Sequence, residues 1–332
     1  MSHRFVLTGI VAILLTRMSV AQVLYPDRTP GNDFSSHLLA ALKTVPDDGA
    51  IIDARNLGGQ QTFSSDVNIN KSNLTILLGV VRLNMGKFHI YVAPGTQNVA
   101  FVGATPFGGL TGGRAYGGTY LTFTGSGAAV SVGGLSDNTL GFSWSDIALD
   151  ISGANSDAMG INLTRSIDFT IYRSRISGFY KPNNQVLLRL DGSGNYTGGV
   201  IESAYLMNGH VGLQLTAAGE RFAVANLTVI HPHIVGMRDP GSIGVDFVQC
   251  GQDVVIGGDL ENWDVAYHFG AHAGEIGLYG VRYEANNLDV KFDAGSRDND
   301  IFTPLVGTKF VDKGTHNAIV DGERAFQMAP LR

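Results

Sequence analysis

The feature that most limits how this chain can fold is a short pattern, apolar-x-Leu/Phe, that returns at a nearly constant interval down its second half. It reads Ile161-Asn162-Leu163, Leu188-Arg189-Leu190, Leu213-Gln214-Leu215, Val245-Asp246-Phe247, Tyr267-His268-Phe269 and Val290-Lys291-Phe292, with final residues 27, 25, 32, 22 and 23 positions apart. A second apolar strand falls between these, marked by Ile171, Ile201, Val224, Val255 and Ile276. A unit of this length holding two or three short strands is one coil of a solenoid, whose inward side chains pack on the coils above and below. The wider intervals place insertions, with Lys181-Pro182-Asn183-Asn184 and Arg238-Asp239-Pro240-Gly241 as candidates. A β-sandwich would instead show polar/apolar alternation joined by hairpin turns. The chain is therefore expected to be all-β, a right-handed parallel β-helix over residues 49–310 with a tail at 311–332.

Composition agrees with many short strands joined by tight turns. Charged residues make up 16% of the chain and glycine contributes 44 of 332 residues, against about 25% and 7% in ordinary globular proteins. One cysteine, Cys250, excludes an internal disulfide, so stability must come from the core and the backbone ladders. Cys250 follows the apolar run Val245–Val248 and reads as a small buried hydrophobe. The net charge of −6, with no basic stripe, argues against a nucleic-acid partner.

The N-terminus reads as a targeting signal. Arg4 precedes the apolar run Phe5–Leu15, and Ser19-Val20-Ala21 supplies small residues at a cleavage position. Eleven apolar residues are too few to span a bilayer, which needs about 20, so residues 1–21 are expected to be a signal peptide and the mature chain secreted, extracellular or periplasmic, without a membrane anchor. Within 22–48, Phe34–Leu42 is the one helical stretch, capped by Asn32 or Asp33, with Leu38, Leu39 and Leu42 on one face. Its expected role is to cover the open end of the solenoid, whose bare strand edges would otherwise aggregate.

The stretch from this helix through Pro46-Asp47-Asp48-Gly49-Ala50-Ile51-Ile52-Asp53-Ala54-Arg55, then Gln61-Thr62-Phe63 and Leu74-Thr75-Ile76-Leu77-Leu78-Gly79, resembles the opening of bacterial pectate-lyase-like β-helix proteins. Gly258-Asp259-Leu260-Glu261-Asn262 and Arg282-Tyr283-Glu284-Ala285-Asn286 look like rungs of the same superfamily and of its tailspike-like relatives. The resemblance spans roughly residues 30–305. It implies a protein acting on an extracellular polysaccharide, as a lyase or glycoside hydrolase on an acidic, uronate-containing chain. The activity motifs depart from the family. The only Asp-Asp pair, Asp47-Asp48, lies in the turn after the helix; Asn208-Gly209-His210-Val211-Gly212 is an echo of a Gly-His-Gly element; the Trp-x-Asp-His and Arg-x-Pro-x-x-Arg motifs are missing.

Register then nominates the site. A gapless alignment stacks Tyr205–His210, Thr228–His233, Asp259–Asp264 and Arg282–Asn287, with Leu206, Val229, Leu260 and Tyr283 pointing inward. Alternation sends Tyr205, Thr228, Asp259 and Arg282 outward in one column, and Met207, Ile230, Glu261 and Glu284 in the next. Asn208, His231 and Asn262 would stack at the corner, and His210, His233, Asp264 and Asn287 beyond it. Glu261 and Glu284, about 4.8 Å apart as strand neighbours, are the candidate acid/base pair, with Asp259, Arg282 and His233 as catalytic companions. Tyr205, His210, Asp264 and Arg175 are the candidate substrate-binding residues, and Asp146 with Arg175 extends the Asp/Arg column.

Two chemistries fit this cluster. In hydrolysis one carboxyl protonates the leaving oxygen while the other activates water or attacks the sugar. In β-elimination Glu261 and Glu284 hold Ca²⁺ and a base, Arg282 or His233, removes the α-proton; no other cofactor is implied. The competing readings are a surface ion pair between Asp259 and Arg282, a turn ladder at Asn208 and Asn262, and solvated His268 and His272. His231-Pro232-His233 lacks a third metal ligand in the sequence. Tyr91, Phe107 and Tyr116 could stack on sugars or pack in a loop. A non-catalytic carbohydrate-binding or surface structural protein is the alternative function, marked by a flat and solvated outer face. Monomer and trimer both remain open, the trimer going with a tailspike-like module.

Overall fold

The computed structural model describes residues 22–322, apart from 107–109, 112–113, 116, 180–182 and 220–223. The proposed signal peptide, Phe107, Tyr116, Lys181, Pro182 and the last ten residues of the expected tail lie outside the described residues. Among the described residues, three sheets of 13, 9 and 11 strands run the length of the chain. Their strand pairs are all parallel; the small pair Leu110–Thr111 and Arg114–Ala115 alone is antiparallel. Each coil contributes a strand to the 13-stranded sheet A, turns a corner into the 9-stranded sheet B, and after a longer connection enters the 11-stranded sheet C.

Sheet C is the face the repeat motif marked. Ile161, Leu188, Leu213, Val245, Tyr267 and Val290 follow one another in unbroken register. In sheet A the ladder runs Ile171, Ile201, Val229, Val255, Leu278. Val224 and Ile276 were expected in that ladder and are not. Val224 instead pairs with Cys250 at the end of sheet C, and Ile276 is a buried residue just before the Gly277–Tyr279 strand.

Period-2 alternation builds the core. On sheet B, Leu83, Leu121, Leu149, Ile176, Leu206, Ile234 and Leu260 all point inward and are buried. Stacking one such row on the next removes each from water on every side, at about 25 cal/mol per Å² of apolar surface. Cys250 is fully buried, as its apolar surroundings predict.

Corners need residues that accept left-handed backbone. Between sheets A and B this is done by Asp146, Arg173, Ser203, His231, Gly257 and Gly280, all at positive φ. Between sheets B and C, Asn208 (φ 64°) and Asn262 (φ 59°) do it, since asparagine tolerates this region best among residues with a Cβ. Gly236, from the coil between them, separates the two, so the expected turn ladder of asparagines is interrupted. His231 turns the opposite corner, between Thr228–Ile230 and His233–Val235, so the expected stack of Asn208, His231 and Asn262 does not form.

The helix Phe34–Leu42 caps the N-terminal end as expected. Asp33 accepts from Ser36 N at 3.0 Å and the Ser36 hydroxyl closes the box onto the Asp33 amide, while Phe34 stacks on Phe63 at 5.8 Å. The strand Gln22–Leu24 pairs with Ala50–Asp53 beside it. At the other end the coils continue past residue 310, through Phe310–Asp312 and Ala318–Val320, so the expected tail begins with paired strands.

Candidate functional site

Sheet B carries the nominated residues, in a register one strand different from the gapless alignment. Tyr205 pairs with His233, His233 with Asp259, and Asp259 with Arg282. Thr228, Val229 and Ile230 belong to sheet A. The outward columns are therefore Tyr205, His233, Asp259, Arg282 and Met207, Val235, Glu261, Glu284, over the inward column Leu206, Ile234, Leu260, Tyr283. The pairs Asp259/Arg282 and Glu261/Glu284 stand as expected. His233 moves from the far side of the corner into the centre of the face.

Upstream, Arg175 pairs with Tyr205 and Ala148 with Arg175. Asp146 is thus not in the column; it sits at the preceding corner, bridged to Arg173 at 3.0 Å. Continuing through Tyr120 to Arg82, one outward column reads Arg82, Tyr120, Ala148, Arg175, Tyr205, His233, Asp259, Arg282. The alignment missed Arg82, Tyr120 and Asp150 because the upstream coils are longer than the 22–25-residue period.

Side chains along the column touch in sequence. The Arg82 guanidinium lies 5.9 Å from the Tyr120 ring centroid, and the Tyr120 hydroxyl donates to Asp150 at 2.5 Å. Arg175 lies 5.8 Å from the Tyr205 centroid and donates to Met207 Sδ at 2.9 Å. Tyr205 and His233 stack at 4.5 Å with 21° between their planes. His233 Nε2 is 4.0 Å from Glu261 Oε1. Ligand atoms of His233, Asp259 and Glu261 all lie within 4.8 Å of one another, and Asp259 Oδ1 is buried without a hydrogen-bond partner.

Burial pushes the Glu261 carboxyl above its usual range; Asp259 and Glu284 add to this and Arg282 opposes it. Burial also holds His233 below its ordinary value, with Asp259 pulling the other way. Among the described residues, no ion pair joins Asp259 to Arg282. Arg282 and Glu284 are exposed on the last strand of the sheet, as a flat solvated face would require, whereas His233, Asp259 and Glu261 are half-buried. A pocket of about 320 Å³, lined by Gly236, Met237, Arg238 and Asn262, adjoins them, and Gly236 N donates to the Glu261 carbonyl.

The remaining nominees sit elsewhere. Asp264 accepts from Gly241 N and Asn287 Nδ2, and His210 lies against Gly241, so both belong to the connection from sheet B to sheet C. Tyr91 is on sheet C, packed on His89. His268 is not solvated. It lies mid-strand on sheet C, between Asp246 Oδ1 at 2.8 Å and Asp293 Oδ2 at 2.9 Å. Lys291 also bonds Asp293, at 3.0 Å, and Gln214 bonds Asp246, at 3.1 Å. Every partner in this second cluster is satisfied from within the chain, which makes it a clamp across four coils. His272, on the same strand, is exposed.

A Ca²⁺ ion would suit Glu261 and Glu284 poorly. Calcium takes about 6–8 oxygen ligands, and the neighbours of Glu261 on this face are an imidazole, one further carboxylate and an arginine.

Among solved structures, the chain superposes on DFA-IIIase from Arthrobacter chlorophenolicus A6 with a TM-score of 0.50 at 10% identity, over 91% of this chain and 89% of that one. It is a right-handed parallel β-helix. The Dettilon tailspike protein gp208 matches at a TM-score of 0.47 and 11% identity, over 90% of this chain and 68% of that one. ORF18 of Geobacillus virus E2 matches at 0.49 and 10%, and this β-helix spans 60% of its length. No protein-family model matches the chain, and no curated protein matches it. Among the described residues, no helix is long and apolar enough to cross a membrane.

Proposed function

We propose that this β-helix is a secreted enzyme that binds an acidic, uronate-containing polysaccharide along sheet B and cleaves it at His233, Asp259 and Glu261. The observation that carries the reading is the meeting of two carboxyls and an imidazole within 4.8 Å, half-buried, on an outward face. Aromatic and cationic side chains flank it in one column, with Tyr205 and Arg175 on one side and Arg282 on the other. A planar ring suits the apolar face of a sugar, and a guanidinium suits a uronate carboxylate.

Hydrolysis fits this donor set best. One carboxyl passes a proton to the glycosidic oxygen and the other, as carboxylate, activates water or attacks the anomeric carbon. In an elimination, His233 would take the C5 proton next to the uronate carboxylate, whose charge Arg282 balances, while the C4–O bond breaks, a C4=C5 double bond forms and Glu261 protonates the departing oxygen. The family resemblance carried by the N-terminal coils supports the polysaccharide reading.

The test is to incubate the purified protein with uronate-containing and neutral glycans. New reducing ends without ultraviolet absorbance identify a hydrolase, and the unsaturated-uronate band identifies a lyase. Glu261→Gln should lower product formation by about 10²-fold or more. No product from any glycan, together with unchanged glycan binding in Glu261→Gln, would leave the non-catalytic binder as the better account.

A further inference from the structure

We infer that His233, Asp259 and Glu261 form a site for one divalent transition-metal ion of the zinc class. Each residue offers one ligand atom, and the three atoms lie within 4.8 Å of one another. They come from two neighbouring strands, Asp259 and Glu261 from one and His233 from the next, so all three project from the same face.

The groups are available for a ligand. Among the described residues neither imidazole nitrogen of His233 has a hydrogen-bond partner, and Nε2 stands 4.0 Å from Glu261 Oε1, beyond hydrogen-bond reach. Asp259 Oδ1 is cut off from solvent and has no partner either. A buried carboxylate oxygen left unpaired is destabilising, and a cation bound there would relieve it. The clamp on sheet C provides the contrast. His268 has both nitrogens occupied by carboxylates, so the same residue types there leave no ligand atom free.

The donor set selects the ion. Imidazole nitrogen with two carboxylate oxygens suits zinc, iron or nickel better than calcium or magnesium, which prefer oxygen alone. Bond lengths of about 2.0–2.2 Å require the Asp259 and Glu261 carboxylates to rotate toward the imidazole, which their half-buried position on the sheet allows. Tyr205, stacked on the His233 ring at 4.5 Å, fixes the imidazole plane. A zinc site with three protein ligands keeps a further position for water or a substrate oxygen. The inference does not need the cleavage reading, because binding is measured without substrate; Asp259 and Glu261 cannot be zinc ligands and an acid/nucleophile pair at once, so the metal-bound form would not use the two-carboxyl route.

Titration calorimetry of the tag-free protein with Zn²⁺ and with Ca²⁺ tests it, with Co²⁺ absorption reporting the ligand geometry. Zn²⁺ should bind at one strong site and Ca²⁺ at least 100-fold more weakly. His233→Ala and Glu261→Gln should each weaken Zn²⁺ at least tenfold, and Glu284→Gln should leave it unchanged. Circular dichroism of each variant confirms that the coils remain folded. Zn²⁺ affinity unaltered in both His233→Ala and Glu261→Gln would overturn the assignment, as would equal affinity for Ca²⁺. Polysaccharide cleavage that survives with no strong Zn²⁺ site would defeat this inference and leave the proposed function intact.

Discussion

At the scale of single residues, His268 shows how much a side chain's role depends on neighbours distant in sequence. Burial disfavours its charge, yet bonds to Asp246 and Asp293 outweigh that and raise its pKa. A raised histidine stabilises the fold fully below its unfolded pKa, about 6.5, and the contribution disappears as pH climbs through the higher folded value. Asp293 works in the opposite sense. Burial would raise it, but His268 and Lys291 lower it, so its contribution is complete above the ordinary carboxylate range and is lost as pH falls through the folded value. His268→Gln should therefore cost about 2 kcal/mol near pH 5.5 and much less at pH 9, read as the change in urea midpoint at the two values. An equal cost at both would mean that His268 is not charged in the clamp. Part of this was legible beforehand: Asp246, His268 and Lys291 are each the polar residue of the repeated sheet C motif and so fall in one column, whereas Asp293 lies just past the motif, 25 positions from His268, and nothing local announces that it closes the clamp. Glu261 and Glu284 were legible, because each follows an apolar inward residue, Leu260 and Tyr283, in rungs one 23-residue step apart.

At the scale of strands and corners, sheet C was readable and half of sheet B was not. The sheet C motif has inward residues on both sides of a polar one, and it repeats wherever the chain returns. Thr228–Val235 defeats that logic, since it holds two strands, Thr228–Ile230 and His233–Val235, on either side of a two-residue corner. A 23-residue step from Tyr205 lands on the first. The true coil is five residues longer, its extra length lying in the connection after Val211–Thr216. Corners also carry a direct test. Asn262 adopts φ 59°, where a Cβ without a local polar group costs about 1–2 kcal/mol. Asn262→Ala should lose about that much in a chemical unfolding curve, while Asn262→Gly stays within a few tenths of the parent. Equal losses in the two variants would point to the amide group rather than the backbone as the stabilising feature.

At the scale of the whole molecule, a solenoid has two vulnerable ends and one long usable face. Leu38 is buried where the helix covers the first coils. Leu38→Glu places a charge there without a partner and should convert the protein to high-mass species in light scattering after size exclusion; a monodisperse variant would show that the helix is dispensable. The long face makes a different demand. From Arg82 to Arg282 the outward column of sheet B crosses seven strand steps of about 4.8 Å, with Arg175 three steps from the first. None of these three arginines is in an ion pair among the described residues, although the chain as a whole carries a net charge of −6. Cations left unpaired in a line, on an acidic protein, match a long anion lying parallel to the axis better than a compact ligand. If the polysaccharide lies this way, affinity should rise with chain length until the glycan reaches Arg82. Arg82→Ala should then weaken long acidic oligosaccharides by about three- to tenfold in isothermal titration, corresponding to roughly 0.7–1.4 kcal/mol, and leave the shortest ones unaffected. Arg175→Ala, nearer the cluster, should weaken both. Equal losses for short and long oligosaccharides in Arg82→Ala would mean that the glycan crosses the sheet instead of following it, and the distal coils would then serve only to hold the face rigid.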